Sequence, residues 1–205
     1  MGRSKRVTYI VSGICILVAL AMIGGSLFMV WVLRGDVRES SKRVEDYGKW
    51  SLSDKYSQLL VFPVAIPDSA QEVSYYYQYE SGYTRPMCQI YLNCRLNDED
   101  YESEINRLAS LTYDSKTEGR QCVQYDDHSF QYPAYVANAG YDFCYEYALI
   151  NTDERQIIYV YAMNTLEQDI KFEAEHLPDY FMEGFADFSV TGLDRFTMYE
   201  RYHNE

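Results

Sequence analysis

The chain reads as an α+β protein: an N-terminal single transmembrane helix followed by a mainly antiparallel sheet of about five strands, with one principal helix packed on one face. Three observations predict this. Residues 7–33 are 27 consecutive positions without a charged side chain. Beyond them, apolar and polar residues alternate with period two in several segments bounded by turn residues. One segment, after Asn97, instead carries its apolar residues at helical spacing.

The apolar run comes first. A helix of that length spans roughly 40 Å, more than the ~30 Å hydrocarbon core of a bilayer. Arg6 and Arg34 close its ends, and Trp31 stands where an interfacial aromatic belongs. Ala19-Leu20-Ala21 resembles a signal-peptidase site. Cleavage there would leave Met22 to Leu33 as an apolar terminus in water, so a retained signal-anchor is expected. The tail, residues 1–6, offers Arg3, Lys5 and Arg6; the far side offers Arg34, Arg38, Lys42 and Arg43. That comparison is nearly balanced, and the short basic start decides it: N-terminus in the cytoplasm, C-terminal domain outside the cell membrane. Ala21 and Gly25 form a small-xxx-small pair of the kind that lets helices approach, and the oligomeric state stays open.

Residues 34–52 read as a charged stalk, with a helical continuation suggested by Glu39 and Arg43 at i,i+4. Residues 53–188 read as the acidic α+β domain and 189–205 as a loosely ordered C-terminal segment. Within the domain, 53–60 suggests a short helix before Pro63 and Pro67. Val73 to Tyr79 alternates as a strand with Val73, Tyr75, Tyr77 and Tyr79 on one face. Met87 to Leu96 does so with Cys88, Ile90, Leu92, Cys94 and Leu96, which predicts one buried and one polar face. Asn97 caps a helix whose first turn, Asp98-Glu99-Asp100, suits the helix dipole. Tyr101, Ile105, Leu108, Ala109 and Tyr113 make the stripe that covers the sheet. A weak strand follows at 121–125, then Phe130 to Ala137, expected at a sheet edge because of Pro133. Asp142 to Ile150 and Arg155 to Met163 form a hairpin around Asn151-Thr152-Asp153-Glu154, the second arm apolar on both faces and therefore central. Residues 170–172 suggest a short strand and 177–185 a helical turn opened by Pro178.

Charge excludes some functions. Residues 51–205 hold 10 basic and 27 acidic residues, a net charge of -17. Such a body is repelled by nucleic acid, so no nucleic-acid partner is expected. The expected partners are the lipid bilayer, through the anchor, and a protein or glycan ligand.

Cys88, Cys94, Cys122 and Cys144 are the candidates for disulfides in an oxidising compartment. Cys88 and Cys94 share one strand with their α-carbons roughly 20 Å apart, so they cannot bond each other. Their plainer role is as small core residues. No cofactor or metal is expected: cysteines and histidines show no metal-ligand spacing, and Asp98 to Glu104 lacks the glycine of a calcium loop. Asp126, Asp127 and His128 read as solvated charge. GxSxG, SxxK and HExxH are absent, so no catalytic residue is named and enzymatic activity is not favoured. The one compositional excess is tyrosine, with 21 of 22 beyond the anchor. Tyrosine suits both strands and recognition surfaces; Tyr76 and Tyr91, on the polar sides of their strands, are the candidate binding residues. The expected function is presentation of an acidic interaction domain outside the cytoplasm. The alternatives are a membrane-tethered envelope hydrolase, or the same domain on the cytoplasmic side.

Overall fold

The computed structural model describes residues 3–33, 37–47, 59–81, 86–113, 120–121, 123–139, 144–164 and 172–187. Its first element is α1 (Arg3–Leu33). Ser12–Val30 within it is long and apolar enough to cross a membrane, and none of that window is buried by the rest of the chain. The strands that follow are β1 (Val37–Ser41), β2 (Gln71–Ser81), β3 (Met87–Arg95), β4 (Thr112–Tyr113), β5 (Arg120–Gln121), β6 (Gln124–Asp126), β7 (Ala134–Ala139), β8 (Cys144–Asn151) and β9 (Gln156–Asn164). Two further helices are α2 (Asp98–Ala109), between β3 and β4, and α3 (Phe181–Asp187), after β9.

Seven strands form one sheet in the order β1-β2-β3-β9-β8-β7-β6, every neighbour antiparallel, and β4 pairs with β5 separately. The α+β class stands, with seven strands where about five were expected. The added outer strands are the ones with weak sequence signals. β1 is Val-Arg-Glu-Ser-Ser, drawn from the segment expected to be stalk, and it pairs along its whole length with β2. The helical continuation is therefore absent there: a 3-10 turn at Val44–Asp46 follows, and Tyr47 enters the core at 3% exposure. β6 takes the other edge, so β7 is interior. Pro133 precedes β7 and takes no donor from its ladder, while its carbonyl accepts from Ile150 N at 2.7 Å.

The expectation of a polar face on β3 is also corrected. Gln89 and Tyr91 are 2% and 1% exposed, because a second layer lies on that side. Phe172, Leu177, Phe181 and Phe185, from the chain after β9, pack there with Phe130 over Tyr91, Tyr145, Tyr147, Leu149, Ile158 and Val160. The opposite face carries Tyr75, Tyr77, Cys88, Ile90, Leu92, Ile157, Tyr159 and Tyr161, and is covered by Tyr101 and Leu108 of α2 with Tyr47, Val61 and Phe62. Ala109, expected in the helical stripe, is exposed. Central β9 is buried on both faces, as its composition requires. Asn97 caps α2, its side chain accepting from Asp100 N at 2.8 Å. The helical turn expected at 177–185 begins later, at Phe181. The short helix at 53–60 and the strand at 170–172 fall mostly outside the described residues, and the tail 189–205 wholly so; Leu59, Leu60 and Phe172 are irregular.

One buried polar network stitches the chain before β2 to the core. Glu146 of β8 is 2% exposed, and its Oε1 accepts the backbone N–H groups of Leu60 (2.5 Å) and Val61 (2.8 Å). The Val61 carbonyl accepts from Arg107 of α2, whose guanidinium also holds both oxygens of Glu104 at 2.6 and 2.7 Å. Tyr159 donates to Glu104 Oε1 at 2.6 Å. Burial pushes the Glu146 carboxyl up to about 8, against the two N–H donors and Arg107, which favour its charged form.

Candidate functional site

At one end of the sheet, the start of β2, the end of β3, the N-terminus of α2 and the β8–β9 turn surround a cleft of about 460 Å³. Gln71, Arg95, Leu96, Asn97, Asp98, Glu99 and Arg155 line it. The walls are tied by backbone and side chain alike. Leu96 N donates to Arg155 O at 2.9 Å, and Tyr101 donates to the Thr152 hydroxyl at 3.3 Å. Arg95 reaches Glu72 through Nη1 (2.9 Å) and Glu154 through Nη2 (3.3 Å), and Arg155 pairs with Asp98. Two features distinguish this end from an ordinary charged rim. The Nε of Arg95 is buried and meets no acceptor among the described residues. Glu72 and Arg155 both have φ of 51°, left-handed geometry that costs a residue with a Cβ about 1–3 kcal/mol.

Guanidinium, carboxylate and amide groups converge, Leu96 alone is apolar, and the lining holds no serine, cysteine or histidine. A polar ligand with hydrogen-bond acceptors for Arg95 fits this lining. No single motif marks it in the sequence, because its residues come from three separate segments. The one local signal is the acid-rich helix start after Asn97, which reads equally well as capping.

The structure brings the two tyrosines singled out above together, with ring centroids 6.0 Å apart. Only Tyr76 reaches solvent; Tyr91 lies in the core. The Tyr91 hydroxyl donates to Gln89 Oε1 at 2.9 Å and accepts from Glu173 N at 3.0 Å. His176 covers the pair, its ring 4.7 Å from Tyr76 and 5.3 Å from Tyr91. Lys42 Nζ sits 5.4 Å from the Tyr76 ring and 2.8 Å from Glu175. Burial lowers the His176 pKa, opposed by the neighbouring Glu175 carboxylate. A ring surface that looked open in the sequence is thus filled by the chain's own imidazole.

Cys88 stands opposite Met163, and Met163 opposite Cys144, so two strand spacings, ~10 Å, separate these cysteines. Cys94 lies opposite Ile157, six residues along β3 from Cys88. A disulfide needs α-carbons within about 7 Å, so no two of these three residues bridge each other. All three are thiols in the structure, and Cys122 falls outside the described residues. The same separation keeps Cys88 and Cys144 from sharing a metal at Zn–S distances of ~2.3 Å. Burial pushes the Cys94 thiol up to about 12.

His128 is highly exposed and lies 3.0 Å from Asp127, while Asp126 accepts from His128 N and from Ser129, the pattern of a solvated loop. It follows β6, at the opposite edge of the sheet from the Tyr76–His176 stack, at least four strand spacings or ~19 Å away. Among the described residues, no group of three His, Cys, Asp or Glu is placed to hold a metal.

No family model matches the chain, and no curated protein or solved structure matches it either.

Proposed function

We propose that this is a single-pass membrane-anchored protein whose acidic α+β domain lies outside the cytoplasm and recognises a protein or glycan ligand through the Arg95–Arg155 cleft. The observation that carries the anchor is the nakedness of α1. Every described side chain from Ser12 to Val30 is exposed, including Leu17 at 68%, Leu20 at 60% and Phe28 at 63%. Each such side chain left in water forgoes about 1.5–3 kcal/mol of burial. Lipid is the solvent that removes this cost without a packing partner. The cleft supports recognition because guanidinium, carboxylate and amide groups converge on it.

The domain's side of the membrane is tested with Asp153→Cys, an exposed position in the β8–β9 turn. A membrane-impermeant maleimide applied to intact cells is expected to modify it. Modification only after lysis would place the domain in the cytoplasm. Release of the protein by alkaline carbonate would remove the anchor reading altogether.

A further inference from the structure

We infer that the sheet meets the lipid headgroup layer at its Val37–Ser81 corner and holds the Arg95–Arg155 cleft away from the bilayer; this rests on the anchor reading above. The first argument is chain length. Leu33 ends α1 and Val37 opens β1, four α-carbon steps later. At 3.80 Å per step, Val37 lies within ~15 Å of the end of the span.

Register then carries that corner across the sheet. Val37 pairs with Ser81, Glu80 with Met87, and Met87 with Asn164, so these residues share one end. The opposite end pairs Arg95 with Gln156 and Gln156 with Asn151, beside the cleft. Eight residues of β3 separate the two ends, ~26 Å at the usual rise.

Tethering one corner leaves the tilt of the sheet free, and charge selects it. The corner strands and the turn after β1 carry Arg38, Lys42 and Arg43 against Glu39, Glu45, Asp46 and Glu80, with Lys42 paired to Glu175 and Arg43 to Glu45 and Asp46. The cleft end carries Glu72, Asp98, Glu99, Asp153 and Glu154 against Arg95 and Arg155. Anionic headgroups repel the cleft end, with five acids against two arginines, more strongly than the nearly balanced corner, over a screening length of ~8 Å at physiological salt. The favoured tilt lifts the acidic end beyond that length. Steric access follows: a ligand reaches the cleft without displacing lipid.

The full chain in nanodiscs tests this. Nitroxide labels are placed at Ser40→Cys or Asp153→Cys, both exposed positions, with Cys122→Ser and Cys144→Ser in each protein and in an unlabelled-site control. A nickel-chelating headgroup lipid relaxes nearby spins. Relaxation enhancement several-fold larger at position 40 than at 153 is the expected result. Equal enhancement, or a larger effect at 153, in protein that stays with the discs would overturn the orientation while leaving the anchor intact. Protein that leaves the discs would overturn the anchor and the orientation together.

Discussion

Glu146 Oε1 accepts the backbone N–H of Val61 at 2.8 Å, joining two residues 85 positions apart inside the core. It takes the Leu60 N–H as well, so one carboxyl satisfies two adjacent buried donors. Replacing it with alanine orphans both, and each unsatisfied buried group costs about 1–3 kcal/mol. Glu146→Ala is therefore expected to lower unfolding stability by about 3 kcal/mol or more in urea titrations of the detergent-solubilised chain, whereas Glu146→Gln, whose amide oxygen still accepts both N–H groups, should recover most of that loss.

The same residue predicts a pH dependence. Its folded-state pKa, about 8, lies above its ordinary 4.5, so the folded form binds this proton more tightly. The stability it contributes is complete below 4.5 and is lost as pH rises through about 8. Stability measured across this window should decline for the natural sequence and flatten in Glu146→Gln. Equal slopes for the two proteins would contradict the assignment.

His176 works in the opposite direction. Burial depresses its pKa below 6.5, so its contribution is present above that value and is lost as the pH falls through the folded pKa. Phenylalanine keeps a ring against Tyr76 and Tyr91 without a titrating nitrogen. In His176→Phe, unfolding stability should lose this acid-side decline; an unchanged profile would show that the imidazole is not the titrating group.

Two arginines make a contrast in burial. Arg95 pairs with Glu72 and Glu154, acids 62% and 54% exposed, where ion pairs are worth little. Arg95→Ala should change stability by less than about 1 kcal/mol, and so isolates the cleft for ligand-binding assays. Arg107 instead holds Glu104, only 12% exposed, and the Val61 carbonyl. Arg107→Ala should cost about 3 kcal/mol, because it strands a nearly buried carboxylate.

Cysteine pairing has a mass-spectrometric consequence. Cys88, Cys94 and Cys144 cannot bridge one another, so at most one disulfide forms among the four cysteines beyond α1, and it must use Cys122. Alkylation in urea without reductant should modify at least two of the three. Detection of two disulfides among Cys88, Cys94, Cys122 and Cys144 would contradict the strand register.

The apolar N-terminal helix, the Asn97-capped helix and the β8–β9 hairpin were legible because their signals are local: unbroken apolarity, a cap with 3.6-residue spacing, and alternation around a turn. β1 was not, and β6 showed only as the weak strand expected at 121–125, since edge strands draw stability from backbone pairing with one neighbour and need little side-chain pattern. The burial of Tyr91 was illegible for another reason. What covers it is His176 and the phenylalanines after β9, some 80 residues downstream, whose spacing gives no hint of the face they cover. The cleft shares that difficulty, being assembled from three chain segments.

By itself, then, the sequence determined a greasy leading helix, an acidic body and the helix and hairpin at its centre, because periodicity and charge are properties of neighbouring residues. Tertiary structure alone decided which polar residues are inside. Glu146 and Tyr91 sit on strands beside residues of similar pattern, and only the layer that folds over each face separates a buried hydrogen-bonding group from a solvated one.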